Sequence, residues 1–353
     1  MTSRRGRRCA WLLGAGAALF IGGAAAIADR AVPEDAKYQK AFDEAVDKAL
    51  AYLARAQLGD GSFPANMRNN TAIASLGVMA FLARGYSPGL PPYGDTINRG
   101  IDFVLSVQAP DGTIIGAGGG QMYSHNISTL MLSEVSGMVD PDRQKRIDQA
   151  LPKALKVILD AQDVPKAPPF QGGWRYEPKS TDSDISHSGW ALMALRSARN
   201  NGAPVPKEAL DRATKFIMMC AGQEGQFSYQ PGGGVGLIRT AVALLCLELS
   251  GRHRVAETIV AGGWVAKRFK QEWRAEYPYY ALYYCAHGMF QLGGQQWERF
   301  APELYDTILK LQGSDGAWAP LSAKEDESGP CYCTSMAVLA LSVSYRQLPI
   351  YQR

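Results

Sequence analysis

A chain of 353 residues holds one large domain or two ordinary ones, and a hydrophobic fraction of 46% is ample for a core. The net charge is only +4, from 37 Lys and Arg against 33 Asp and Glu. No basic stripe runs along the chain, which excludes a nucleic-acid partner.

Met1–Ala28 reads as an export signal peptide. Arg4, Arg5, Arg7 and Arg8 form a basic n-region, Ala10–Ile27 is uncharged, and Ala26-Ile27-Ala28 fits a small-x-small cleavage site. The expectation is an exported protein, in the periplasm or at the cell surface, cut after Ala28. The apolar run of 18 residues is just long enough to span a bilayer. The alternative is therefore an uncleaved N-terminal anchor and association with a membrane surface. The four signal arginines account for the whole net charge, leaving 33 basic and 33 acidic residues beyond them. Five cysteines follow: Cys220, Cys246, Cys285, Cys331 and Cys333. Their odd number argues against a complete disulfide framework and for small buried apolar residues. Cys220 and Cys246 flank one helix-loop-helix unit and are the pair placed to bond in an oxidising compartment.

The remainder, Lys37–Arg353, reads as a single domain of repeats. Gln57, Gln108, Gln162 and Gln312 end similar helices, at intervals of 51, 54 and 150 residues. Asp60-Gly61-Ser62-Phe63, Asp111-Gly112-Thr113-Ile114 and Asp315-Gly316-Ala317-Trp318 follow three of them. Gly172-Gly173-Trp174 follows the fourth, and Gly225-Gln226-Phe227 is a further turn without its glutamine.

Each unit predicts an outer helix, a turn and an inner helix. The first outer helix, near Tyr38–Ala56, carries Phe42, Ala45, Val46, Ala49, Leu50 and Leu53 on one face. Its inner partner, Thr71–Arg84, is apolar almost all round, as a helix buried on every side must be. The next pairs are Asp95–Val107 with Tyr123–Ser136, Asp140–Ala161 with Ile185–Ala198, and Lys207–Cys220 with Leu237–Leu249. Val255–Phe269 pairs with Pro278–Leu292, and Trp297–Leu311 with Cys331–Tyr345. The last inner helix is as apolar as the others, where an open solenoid would need a polar cap. The expected architecture is all-α, an (α/α)6 toroid with concentric inner and outer rings. Gly116–Gly120 and Gly232–Gly236 read as flexible connections, since neither follows a strand or precedes a Lys-Ser/Thr pair.

The Gln…Asp-Gly-x-aromatic turns resemble the QW-type repeats of squalene–hopene cyclases and related triterpene cyclases. The same double ring occurs in protein prenyltransferase β subunits and in thioester-containing domains of the complement and macroglobulin family. The resemblance spans about Lys37–Arg353 and implies the fold, while chemistry depends on individual residues. A cyclase of this type implies an alkene-protonating acid in an Asp-x-Asp-Asp motif before an inner helix. Asp182-Ser183-Asp184-Ile185 keeps the first two aspartates and has Ile at the third. That register makes Asp184 the acid, tuned by Asp182 and His187. Aligned by the following helix, Asp184-Ile185-Ser186-His187 puts Ser at the donor position and leaves no acid. Helix capping by Ser or Asp is the structural alternative.

A prenyltransferase implies Zn²⁺ held by Asp, Cys and His. In Gly329-Pro330-Cys331-Tyr332-Cys333-Thr334, Gly329 stands where the ligand His belongs, and no Asp-x-Cys pair exists. No metal or cofactor is expected. The Gly-Cys-Gly-Glu-Gln run of thioester domains is absent from the sequence. Toroidal carbohydrate-active enzymes need paired carboxylates, for which Asp182 and Asp184 are the candidates.

Tyr123-Ser124-His125 opens the second inner helix and matches Ser186-His187 in the third, with Cys333 at the same place in the sixth. The fifth adds Tyr277, Tyr279, Tyr280, Tyr283, Tyr284 and His287. Such rings stabilise cations through their π faces or simply pack a core. The expectation is a central apolar cavity lined by Trp190, His125, Tyr123, Trp174, Tyr280, Tyr283 and Cys333. Isoprenoid cyclisation or isomerisation is the expected activity, with an apolar small molecule as ligand. The alternative is a non-catalytic exported module for a peptide, glycan or lipid.

Overall fold

The computed structural model describes residues 33–66, 70–116 and 121–352. The export-signal reading and most of the Gly116–Gly120 loop lie outside the described residues. Among the described residues no strand forms, and only four isolated bridges occur beside the helices.

The helices, in chain order, are α1 (Pro33–Ala56), α2 (Thr71–Ala83), α3 (Gly94–Ser106), α4 (Gln121–Val135), α5 (Pro141–Asp163) and α6 (Ile185–Asn200). They continue as α7 (Lys207–Met219), α8 (Leu237–Leu249), α9 (Ala256–Glu272), α10 (Pro278–Leu292), α11 (Gly294–Leu309), the single turn α12 (Ala323–Asp326) and α13 (Gly329–Leu341). Helices α2, α4, α6, α8, α10 and α13 pack side by side, and α13 returns to α2. The inner ring therefore closes. Each outer helix packs on the inner ring: α1 on α13, α3 on α2, α5 on α4, α7 on α6, α9 on α8 and α11 on α10. Burial follows this division. Every residue of α2 is buried, whereas α1 buries one stripe that includes Phe42, Val46, Ala49 and Leu53.

The repeated glutamines are the fasteners of this ring. Gln57 Nε2 donates to Gly61 O in its own turn at 3.0 Å and to Thr96 O in the next outer helix at 2.9 Å. Gln108 does the same to Gly112 O and Ala150 O, and Gln162 to Gly172 O and Ala209 O. Gln312 reaches Gly316 O and then Ala45 O in α1, joining the last unit to the first. A primary amide has two N–H donors, and each fastener uses both. The turn tip itself must be glycine. Gly61 has φ +89°, and a Cβ there would lie 2.1 Å from Arg99 O of α3.

The turn aromatics point into the space between the rings. Trp174 Nε1 donates to Ile158 O and Trp318 Nε1 to Ile308 O, both on outer helices. Their backbone N–H groups are accepted by inner-helix side chains. Trp174 N bonds Ser188 Oγ at 2.9 Å, Phe227 N bonds Thr240 Oγ1 at 3.0 Å, and Trp318 N bonds Thr334 Oγ1 at 3.0 Å.

The ring centre is packed, contrary to the expected central cavity. Trp190 Nε1 donates to Tyr280 Oη at 3.0 Å, so side chains of α6 and α10 meet across the ring. Trp190 stacks on Tyr283 at 5.5 Å and meets Tyr284 edge-on. The C-terminal segment fills the far end. After α13 the chain folds back, and Tyr351 Oη pairs with Tyr283 Oη while its ring stacks on His287 at 4.1 Å. Ile350 N donates to Glu134 Oε2 and Gln291 Nε2 to Tyr351 O. Two cavities of about 60 and 10 Å³ lie at this far end. The physical reason is volume, because aromatic side chains are the bulkiest fillers available and several converge on the axis.

Candidate functional site

The N-terminal end of α6 is where charge enters the apolar rings. Asp184 N donates to Trp174 O and Ile185 N to Tyr229 O, which fixes the approach to the helix. Asp184 has extended backbone, and its Oδ1 accepts from both Ser186 N and His187 N at 2.9 Å. This is an N-cap, and it satisfies two donors that a helix start leaves free. The other oxygen, Oδ2, receives His187 Nδ1 at 2.7 Å, one helical turn on. Asp184 and His187 are both fully buried.

Arg175 joins the two aspartates. Its Nη1 lies 3.5 Å from Asp184 Oδ2 and its Nε 3.4 Å from Asp182 Oδ2. Gln230 Nε2 also holds Asp182 Oδ2, at 3.1 Å, and the carbonyl of Ser183. The guanidinium stacks over Tyr176 and Tyr229, whose hydroxyls lie 3.2 Å apart. Tyr123 and Tyr176 enclose the His187 ring, with centroids 3.9 and 4.2 Å away.

The carboxylate fixes the histidine tautomer. Nδ1–H donates to Asp184, so in the neutral ring Nε2 carries the lone pair. That Nε2 is buried without a hydrogen-bond partner. So is Arg175 Nη1, beyond its long contact with Asp184. Asp184 faces donors on both oxygens: Oδ1 takes two backbone N–H groups, and Oδ2 takes the imidazole N–H with Arg175 Nη1 3.5 Å away. The arrangement is an Asp184–His187 pair with His187 Nε2 as its unpartnered end.

The structure sorts the sequence candidates into five places. Asp182, Asp184, His187 and Tyr123 come together at the mouth. Trp190 and Tyr280 form the floor one turn deeper, and Tyr283 belongs to the packed centre. Cys333 is fully buried at the start of α13, and burial pushes its thiol well above the ordinary range. Trp174 and His125 do not face the ring axis. His125 Nδ1 accepts the N–H of Ile114, and its Nε2 donates to Ala154 O on α5. Its equivalents are thus Ser188, Thr240 and Thr334, so the register matching His125 with His187 is corrected by one residue. Burial lowers the His125 pKa to about 4, which keeps the ring neutral for this bridging task.

Sequence reasoning missed Arg175, Tyr176, Tyr229 and Glu325. Tyr176 and Tyr229 each stand two residues after a turn aromatic, Trp174 and Phe227, so aligning the turns in register reveals them. Glu325 lies in an acidic run that reads as exposed loop, yet it is fully buried. Its Oε1 accepts Tyr279 N at the start of α10, its Oε2 has no partner, and burial raises its pKa to about 7. Among the described residues no three His, Cys, Asp or Glu side chains converge as a metal site.

No family model matches the sequence, and no curated protein matches it. Solved structures do. The type II terpene cyclase MstE from Scytonema, in complex with geranylgeranyl dihydroxybenzoate, is 12% identical with a TM-score of 0.58, over 89% of this chain and 100% of that one. A reducing end xylose-releasing exo-oligoxylanase is 14% identical with a TM-score of 0.60, over 90% and 94%. An α-amylase from Clostridium perfringens is 8% identical with a TM-score of 0.58, over 86% and 97%. At these identities the likeness is one of fold, that of an all-helical α/α toroid.

Proposed function

We propose that this toroid is an enzyme that moves a proton on an apolar, oxygen-bearing small molecule, an isoprenoid, held at the mouth of the inner ring. The observation that carries this reading is the 2.7 Å contact of His187 Nδ1 with Asp184, with Nε2 left unpartnered. A carboxylate that orients an imidazole leaves the far nitrogen as general base, a role worth about 10²–10⁴ in rate. Alkene protonation needs a carboxylic acid free to donate, whereas the groups around Asp184 are all donors to it: two backbone N–H groups, His187 Nδ1 and the guanidinium of Arg175. The role expected of Asp184 therefore passes to His187, with Asp184 as its orienting partner. The reaction is an isomerisation in which His187 Nε2 takes a proton from a carbon conjugated with a carbonyl and returns it to another carbon of the same conjugated system, so that a double bond shifts and no proton is lost.

Two features favour an isoprenoid. The rim is built of tyrosine rings, and a cyclase of the same fold is known in complex with a geranylgeranyl compound. With the centre packed, the ligand is read at the mouth and not inside the ring. The protein is further read as exported, which N-terminal sequencing of the secreted chain tests through a start at Asp29.

The test is incubation with geranylgeranial, an aldehyde conjugated with an alkene, and with geranylgeraniol as the control that lacks the carbonyl, analysed by gas chromatography with mass spectrometry beside His187→Gln and Asp184→Asn. Turnover by the wild type should fall by about 10² or more in His187→Gln. Absence of any product, or product unchanged in that variant, sinks the reading. The packed ring centre favours a second reading, a non-catalytic module that binds the same class of ligand. Calorimetric binding without turnover would select it.

A further inference from the structure

We infer that Tyr351 plugs a small-molecule site at the far end of the inner ring, a slot that takes a free phenol when the C-terminal segment swings out. The inference is independent of the mouth and of His187.

The segment belongs to neither ring. After α13 the chain runs through the short turn Ser342–Tyr345 and reverses at Arg346. Arg346 has φ +50°, a left-handed conformation uncommon for a residue with a Cβ, and marks the hinge. Beyond it, the backbone is held to the inner ring by Ile350 N on Glu134 Oε2 at 3.2 Å and by Gln291 Nε2 on Tyr351 O at 3.0 Å.

Tyr351 carries a phenol into the ring. Its aromatic face stacks on His287 with centroids 4.1 Å apart. Its hydroxyl lies 2.5 Å from Tyr283 Oη and 3.9 Å from Met193 Sδ. A hydroxyl accepts from the first and donates to the second, a weak thioether acceptor. The slot therefore fits both parts of a phenol. Toluene supplies the ring alone, and an aliphatic alcohol the hydroxyl alone.

The segment also fits less closely than a core element. Protein interiors leave few voids, yet both cavities at this end are lined by the segment. Glu134, Gln347, Leu348 and Pro349 line the larger, and His287, Ser342, Leu348 and Tyr351 the smaller. His287 Nε2 and Ser342 Oγ are buried without partners, where buried polar atoms are nearly always paired. With the segment seated, space and hydrogen-bonding capacity stay unused. A free ligand, unconstrained by the chain, can use both. Swinging out forfeits the contacts of a buried aromatic, so the slot is open in only about one chain in 10² or fewer.

The experiment uses p-cresol, the side chain of tyrosine as a free molecule, against toluene. Calorimetry on the full chain should show p-cresol bound about 10²-fold more tightly by Tyr351→Ala than by the wild type, because the variant no longer has to be opened. The variant should prefer p-cresol to toluene about fivefold, one neutral hydrogen bond. Adding Tyr283→Phe should erase that preference. In the wild type, p-cresol should speed amide hydrogen exchange in Leu348–Tyr351 and leave α1 unchanged. Equal affinity of the two chains for p-cresol, or exchange in the segment that p-cresol leaves unchanged or slows, overturns the plug. Affinity for p-cresol no better than for toluene overturns the phenol assignment. The exchange measurement needs no variant, so it decides even where Tyr351→Ala fails to fold.

Discussion

Gln312 Nε2 donates to Ala45 O at 2.8 Å, and this bond fastens the last helix pair to the first across 267 positions of sequence. The same amide holds Gly316 O in its own turn. Gln312→Ala leaves two carbonyls to find water at the seam and should cost about 1–3 kcal/mol. Gln162→Ala should cost more. Gln162 is buried, and its oxygen also receives Arg212. Urea unfolding of the two variants checks the order.

The turn tips give a sharper contrast. Gly61 has φ +89° and a would-be Cβ 2.1 Å from Arg99 O, while Gly202 has the same φ with nothing within 4 Å. Gly202→Ala should show only the backbone penalty, about 1 kcal/mol. Gly61→Ala must also push α3 outward, so its loss should be at least twice as large. Equal losses would mean that the tip contact carries no weight.

Asp184 does two jobs that variants can separate. Asp184→Ala removes the cap and the histidine contact, with about 1–2 kcal/mol lost from the cap alone. Asp184→Ser keeps a cap acceptor but cannot reach Nδ1 of His187. Stability should therefore recover largely in Asp184→Ser, while the ¹⁵N spectrum of His187 shows the ring released to mixed tautomers. A His187 spectrum like the wild type in Asp184→Ser would contradict the pairing.

Four buried groups set the pH dependence of stability. Burial raises Glu134 and Glu325 from 4.5 to about 7, so their contribution is full below 4.5 and is lost as pH rises toward 7. Burial lowers His125 and His287 from 6.5 to about 4 and about 3, so theirs is full above 6.5 and is lost as pH falls. Between pH 4.5 and 6.5 the two slopes oppose, and the wild type should be nearly flat. With the glutamates replaced, in Glu134→Gln/Glu325→Gln, stability should climb with pH up to 6.5. Urea midpoints across pH 4–7 measure both curves.

The C-terminal segment is a part of the core. Tyr351 reaches Tyr283, His287 and Met193 from the far end of the ring. Tyr351→Ala should cost about 3–5 kcal/mol, as for other large buried aromatics. It should also open a chamber beside Trp190 that takes up an apolar dye, read as a change in tryptophan emission. A stable variant with unchanged emission would place Tyr351 outside the packing that holds the ring.

Much of this molecule is written locally. The spacing of Gln57, Gln108, Gln162 and Gln312 marks the units, because each amide acts on a turn four to ten residues away. The alternation of one-sided and all-round apolar helices marks which ring each joins, because burial on every side leaves no room for a polar face. The site was legible only in part. Asp182, Asp184, His187 and Tyr123 were named from their positions before inner helices, and they do meet. Arg175, Tyr176, Tyr229 and Glu325 went unnoticed because nothing local distinguishes a cation over two tyrosines, or a buried glutamate, from surface loop.

By itself the sequence determined the helices, their alternation and the closing of the ring, all consequences of short-range periodicity and turn chemistry, while it left Asp184 open between acid and helix cap. Tertiary structure alone decided that His187 faces the mouth while His125 is turned between the rings. One residue along a helix rotates a side chain by about 100°, and only the neighbouring unit shows which way that points. It alone decided, too, that the centre is filled by aromatics and by Tyr351. Whether a ring encloses a void depends on the volumes that meet on its axis, and those come from residues far apart in the chain.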